Sequence, residues 1–159
     1  MIQLLPGLKT ALEGALENEL FKDPVGPDIS PRIALGFLPP KRSDAAQNQD
    51  FPFIVIRAKG GRDTKSKGEV EVRLICGTWT NGDIESGVLE IHRLMDILRA
   101  WLPTHLGVCR PWVMDPDIAW EFGDKEDGKQ PHPHYYGEIF LNFKRSPEAN
   151  SRRSKAQGQ

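Results

Sequence analysis

The chain predicts an α+β fold, with one mixed, mostly antiparallel sheet and two helices packed on it. Three observations lead there. The segments Asp50-Phe-Pro-Phe-Ile-Val-Ile-Arg57 and Val70-Glu-Val-Arg-Leu-Ile-Cys-Gly77 frame a β-hairpin rich in β-branched residues. An apolar stripe at helical spacing follows over about residues 84–102. Trp- and Tyr-bearing strand segments then close the chain, an order that suits a small building block better than an enzyme.

The first element is an amphipathic helix from Ile2 to about Leu20. Leu5, Leu8, Leu12, Ala15, Leu16 and Leu20 recur along one side, with Glu13, Glu17 and Glu19 along the other. Asp23-Pro-Val-Gly-Pro27 stops it, because two prolines with a glycine between them cannot extend the hydrogen-bond ladder. Ile33 to Leu38 predicts a first short strand, closed by Pro39-Pro40, and Lys41 to Asp50 a polar, exposed loop.

Phe53–Arg57 and Val70–Cys76 are the strongest strand predictions. The second alternates Val70, Val72, Leu74 and Cys76 against Glu69, Glu71 and Arg73, which makes one face core and the other wet or intersubunit. Between them, Lys59 to Gly68 is polar and too long for a two-residue turn, so a mobile, basic hairpin tip is expected. Asn81-Gly82 turns the chain into the second helix, whose stripe is Val88, Ile91, Leu94, Met95, Leu98, Trp101 and Leu102. Pro103 ends that helix.

Val108–Val113 and Asp117–Phe122 predict two further strands, with Pro111 confining the first to an edge. Gly123 to Pro133 is a long polar loop. Tyr136–Lys144 alternates Ile139, Leu141 and Phe143 against Glu138, Asn142 and Lys144 and forms the last strand. Residues 1–146 then make one domain, and 147–159, which lack apolar periodicity, a disordered basic tail.

Composition narrows the function classes. A net charge of −1, from 21 basic and 22 acidic residues, provides no global field toward nucleic acid or an anionic membrane, so partners are recognised locally. Apolar runs fall short of the ~20 residues that span a bilayer, and the first residues lack the basic start of a secretory signal, so a cytosolic chain is expected. Cys76 and Cys109 sit in apolar contexts and predict buried free thiols.

Candidate chemistry is sparse. His132-Pro-His134, with His92, His105 and the cysteines, follows no zinc-ligand spacing. Asp115, Asp117, Glu121, Asp124, Glu126 and Asp127 lack the ligand order of a calcium loop and suit a solvated segment. Lys59-Gly-Gly-Arg62 lacks the order of a phosphate loop, and no G-x-S-x-G nucleophile elbow is present. No catalytic residue, cofactor or metal is assigned. The basic tip (Lys59, Arg62, Lys65, Lys67) and the tail (Arg152, Arg153, Lys155) concentrate charge, and Trp112, on a Pro-broken edge, is a candidate intersubunit anchor.

Over about residues 1–145 the order of features resembles the tail-terminator and minor tail (tail-completion) proteins of long-tailed bacteriophages. The resemblance is carried by the N-terminal amphipathic helix, the Pro-rich crossing, D-F-P-F-I-V-I-R, the polar tip and V-E-V-R-L-I-C-G-T-W. An I-x-x-L-x-x-I-L-R-x-W-L helix and a closing P-H-Y-Y-G-E-I-F-L-N-F strand complete it. It implies a compact α+β structural virion protein without enzymatic activity that forms a homo-hexameric ring. The ring would sit on the tail tube protein at the tail or head–tail junction, meet a head-completion or neck protein on its other side, and leave DNA to pass through its lumen. Assembly would take place in the host cytoplasm, from a phage, a prophage or a tail-like particle. By that analogy the tip Lys59–Gly68 (Lys59, Arg62, Lys65, Lys67) and the loop holding Asp124 and Lys125 are interface candidates, with Arg57, Glu71 and Arg73 on an outward sheet face. The rival expectations are a head-completion or neck protein, a small metal-dependent hydrolase or nuclease built on the Asp115–Asp127 carboxylates with His132 or His134, and a nucleic-acid-binding module.

Overall fold

The computed structural model describes residues 3–38, 50–123 and 132–145. It has the expected α+β architecture. Helix α1 is Leu4–Leu16, followed by β1 (Arg32–Leu35), β2 (Phe53–Asp63) and β3 (Gly68–Trp79). Helix α2 (Ile84–Trp101) continues into a 3-10 turn, Leu102–Thr104, before β4 (Trp112–Met114), β5 (Ala119–Phe122) and β6 (His134–Arg145). Among the described residues these strands form one sheet in the order β1-β2-β3-β6-β4, with β5 also paired to β6. Only β1 is parallel to its neighbour; the other ladders are antiparallel.

The β3–β6 ladder is the spine of the molecule, running without a break from Gly68 opposite Arg145 to Trp79 opposite His134. Period-two alternation sends Val70, Val72, Leu74 and Cys76 of β3 and Tyr135, Ile139, Leu141 and Phe143 of β6 to one face, where all are buried. Both helices contribute to that core. Leu4, Leu8, Leu12 and Leu16 of α1 recur every fourth residue and form a single buried row. Ile91, Leu94, Met95 and Leu98 are the equivalent row of α2.

Several boundaries differ from the sequence-based expectation. The first helix ends at Leu16 rather than near Leu20, and Leu20 is exposed. Its place in the core is taken by Phe21, which exchanges backbone hydrogen bonds with Ile29. Arg93 of α2 holds this turn from the other side: its guanidinium lies 3.9 Å from the centre of the Phe21 ring, donates to the Leu20 carbonyl and pairs with Glu19 and Glu90. The strand expected over Ile33–Leu38 is Arg32–Leu35. Pro103 does not stop the second helix abruptly but tightens its last turn into the 3-10 form. Pro111 shortens the following strand to three residues at the sheet edge.

The largest correction concerns the basic tip. Lys59 to Asp63 extend β2, and Gly68 and Glu69 begin β3, so the turn is only Thr64–Lys67. Thr64 ties it together: its N–H donates to the Lys67 carbonyl at 2.8 Å, and its hydroxyl oxygen accepts from the Lys67 N–H at 3.1 Å. A bulge between Ala58 and Gly60 absorbs Lys59. Cross-strand pairing thus overrides the weak strand preference of Gly60-Gly61. At Gly61 a Cβ would lie 2.2 Å from the Glu69 carbonyl oxygen, so only glycine lets the strands meet there. The polar loop expected over Lys41–Asp50 lies outside the described residues except for Asp50, as do most of the Gly123–Pro133 loop and the 147–159 tail.

Helix α2 seats on the sheet through a close approach at Gly87, where a Cβ would come within 2.2 Å of Cζ of the fully buried Tyr135 ring. Alanine is the better helix former by about 1 kcal/mol, yet overpacking costs about 1–3 kcal/mol. Gly87→Ala is therefore expected to lower the urea midpoint, and a raised midpoint would show that propensity outweighs the clash.

Asp83 caps α2, accepting from the Ser86 N–H at 2.7 Å. Ser86, through its side chain and then its backbone N–H, holds the Asp83 carboxyl below its ordinary value of 3.8. A depressed folded value means that this stabilisation is complete above the unfolded value and is lost as pH falls through the folded one. Asp83→Asn keeps an acceptor at the cap and is expected to flatten the acid limb of the thermal-midpoint profile. An unchanged acid limb would exclude the cap as its source.

Candidate interaction surfaces

Because both helices cover one face of the sheet, the alternate residues of the strands make a second, helix-free face. At one end of that face Phe51, Phe53 and Val55 form a small buried cluster, with Ala34, Leu38, Ile75, Trp79 and Tyr136 packed against it. Phe51 and Phe53 meet edge to face with ring centres 5.0 Å apart. The D-F-P-F motif therefore supplies a second apolar cluster, which the strand alternation alone had not revealed. Gly77 makes room for it, since a Cβ there would lie 2.3 Å from the Phe53 ring.

Charged groups occupy the middle and far end of the same face. Arg57 and Arg73 stand directly opposite each other on β2 and β3. Arg57 donates through Nε to the Gly36 carbonyl at 2.9 Å and covers the Phe37 ring at 4.5 Å. Arg73 covers Phe140 at 5.1 Å and pairs with Glu138 at 3.9 Å, each of these charged side chains being under one fifth exposed. Glu71 and Glu69 pair with Lys59 at 3.8 Å and Lys67 at 2.9 Å. The Lys67 ammonium and its hydrogen bond hold the Glu69 carboxyl below its ordinary range. Arg57, Glu71 and Arg73 thus lie on the helix-free face, while two of the four basic tip residues are already neutralised within the chain.

Arg62 and Lys65 are exposed and make no ion pair among the described residues. A shallow groove of about 340 Å³ lies beside them, lined by Gly60, Gly61, Arg62, Asp63, Val70 and Trp112 among others. Trp112 itself is only 4% exposed and belongs to the main core, which corrects its assignment as an intersubunit anchor. The proline before it had suggested an exposed edge; the strand is at the edge, but its indole faces inward over Gly68. Asp124 and Lys125 lie outside the described residues.

The sequence did not anticipate the surface along α2 and β5. Trp120 is 42% exposed, with the Arg99 guanidinium 3.8 Å from its ring centre, and Phe122 stacks on His92 at 4.0 Å. Alternation in Trp120-Glu-Phe122 was the available signal. The remaining histidines go to separate aromatics: His105 stacks on Trp101 at 4.1 Å, His134 lies 4.8 Å from Phe51, and His132 Nδ1 is 2.7 Å from the Tyr135 hydroxyl. His132 and His134 therefore do not converge on one centre. Among the described residues no group of three or more His, Cys, Asp or Glu side chains could hold a metal ion.

Both cysteines are free and buried. Burial, with the Glu138 carboxylate as a smaller cause, pushes the Cys76 thiol far above its usual range, and burial pushes Cys109 up to about 11. Neither has the lowered pKa of a reactive thiolate. No described helix is long and apolar enough to cross a membrane. No protein-family model matches the chain, and no curated protein matches it.

Glu138 offsets the repulsion between Arg57 and Arg73 across their ladder. Glu138→Ala is expected to cost about 1 kcal/mol in chemical denaturation at low salt. The loss should shrink as added salt screens the arginines. A salt-independent loss would assign the effect to packing alone.

Proposed function

We propose that this chain is a structural subunit of a phage tail or head–tail junction, without catalytic activity, that works as a ring. In this reading the ring caps the tail tube, ends its polymerisation and presents its opposite side to a head-completion or neck protein, with DNA passing through the lumen. The observation that carries the proposal is the one-sided covering of the sheet. Two helices enclose one face, while among the described residues no helix covers the charged part of the other face and two strand edges are unpaired. The order of sequence features that resembles tail-completion proteins supports the same reading.

The interface candidates of β2, β3 and the turn between them suit such a subunit. Arg57, Lys59, Arg62, Glu71 and Arg73 all lie on β2 and β3, and Lys65 and Lys67 on the turn between them, so a single ladder presents them together. A ring subunit works through repeated contacts of this kind between identical chains.

Deleting the gene from the element that carries it tests the proposal by electron microscopy of the lysate. Overlong, headless tails of variable length are the expected outcome. Tails of normal length that fail to join heads would move the protein to the neck. Normal tails properly joined to heads would overturn the reading.

A further inference from the structure

We propose that copies of this chain meet through the outer sides of β1 and β5, with Arg32–Leu35 of one copy running antiparallel to Ala119–Phe122 of the next. The inference rests on the ring reading and deepens it by naming two surfaces and the register in which they meet.

The ladders place these two strands at the same height on opposite sides of the sheet. Ile33 faces Ile54, Ile54 faces Cys76, Cys76 faces Gly137, and Gly137 faces Phe122. The next rung but one runs from Leu35 through Ile56, Leu74 and Ile139 to Trp120, and the rung between them from Ala34 through Val55, Ile75 and Glu138 to Glu121. A sheet continued level from one copy to the next therefore sets Ile33 against Phe122, Ala34 against Glu121 and Leu35 against Trp120. β1 is parallel to β2, and three antiparallel ladders separate β2 from β5, so the two strands run in opposite directions. Among the described residues neither has a ladder partner on its outer side.

The same register satisfies the backbone. The Arg32 N–H donates to the Pro52 carbonyl and the Gly36 N–H to the Ile56 carbonyl, so the intervening Ile33 and Leu35 turn their N–H and C=O groups outward. The Leu35 carbonyl accepts locally from the Phe37 N–H, which leaves both groups of Ile33 and the Leu35 N–H for an incoming strand. On β5 the phase is set by the Gly123 N–H, which donates to the Tyr136 carbonyl. Glu121 and Ala119 therefore bond inward to β6, while Trp120 and Phe122 turn outward. Outward groups thus meet outward groups on the rungs that height selects.

Side chains agree with that pairing. Ile33 and Leu35 share the face of Ile54 and Ile56, and Trp120 and Phe122 that of Ile139, so all four stand on the helix side. Leu35 is 38% and Trp120 42% exposed, and each would cover the other, while Ile33 and Phe122 make a β-branched–aromatic pair. Arg32 and Glu121 are the charged residues of the two strands, and they become diagonal neighbours on the other face. Glu121 makes no ion pair among the described residues, whereas Arg32 already pairs with Asp23 at 3.2 Å, so apolar cover and backbone pairing contribute more than charge. β4 stands level with Gly61–Asp63, beyond the end of β1, and leaves a strand's width unfilled there without obstructing the contact. Contact between two different surfaces of identical chains is heterologous, and it closes into a ring when the rotation between neighbours permits.

Engineered disulfides in the full chain test the register. Ala34 and Glu121 would form a narrow, non-hydrogen-bonded pair with a Cα separation that a disulfide accepts. Ala34→Cys chains mixed with Glu121→Cys chains and oxidised with diamide are expected to give several times more linked dimer than either variant alone, or than Ala34→Cys mixed with Val113→Cys. Both native cysteines are buried, and the wild-type chain gives the background. The exposed pair Leu35→Cys and Trp120→Cys should link in the same way, and replaces the first pair if circular dichroism shows Ala34→Cys or Glu121→Cys to be unfolded. Trp120→Lys added to the Glu121→Cys chain should abolish the first link. No mixed dimer at the highest soluble concentration, or as much with Val113→Cys, would overturn the proposal. Overlong tails on gene deletion without a mixed dimer would leave tail capping standing and remove this contact; a mixed dimer together with normal tails would do the reverse.

Discussion

Everything in this fold depends on the uninterrupted pairing of β3 with β6. Both strands alternate strictly, so one register sends the apolar residues of both to the same side. A slip of β6 by one residue against β3 would bury Glu138 and expose Leu141. The helices are then placed by what the ladder presents. Gly87 admits Tyr135, and Gly137 lies beneath Met95, whose sulfur would be 2.8 Å from an added Cβ. Helix α2 thus lies where missing side chains let it approach, and the long aliphatic rows of both helices fill the remaining space.

How much of this was legible in the sequence depended on whether local pattern or distant pairing decided the outcome. The row of α2 and the alternation of β3 and β6 are local patterns and were readable directly. The end of α1 was not, because Leu20 continues the helical spacing while a cross-molecule contact from Arg93 to Phe21 and the Leu20 carbonyl fixes the turn. Lys59 to Asp63 read as a loop because glycine and charge dominate there, and only the facing residues Gly68–Glu71 hold them as strand. Trp112 illustrates the same limit. Its neighbour Pro111 indicated an edge correctly, but the direction of the indole is set by its place opposite Arg145 and over Gly68.

Candidate chemistry was still less legible, since it depends on which side chains converge. The two histidines separated by one residue follow no zinc-ligand spacing, and in the fold they go to different partners, Tyr135 and Phe51. The acidic run splits in the same way: Asp115 pairs with Lys144 at 3.9 Å and accepts from the Asp117 N–H, while Glu121 sits on the next strand beside Glu138. The basic residues divide between Lys59 and Lys67, which pair with carboxylates of β3, and Arg62 and Lys65, which make no ion pair among the described residues. That division turns a generic charge run into a surface with a defined unbalanced part, and only the ladder register reveals it.

The backing of the hairpin also has a mechanical consequence. β3 is bonded to β2 along one side and to β6 along its whole length on the other, so the Thr64–Lys67 turn ends a three-strand beam rather than a loose flap. Ladder hydrogen bonds lie across the strand direction. A pull along the strands, applied at the turn, therefore loads many of them in shear at once instead of peeling them in succession. Tension on a neighbour held at this end would pass into the core as a distributed load.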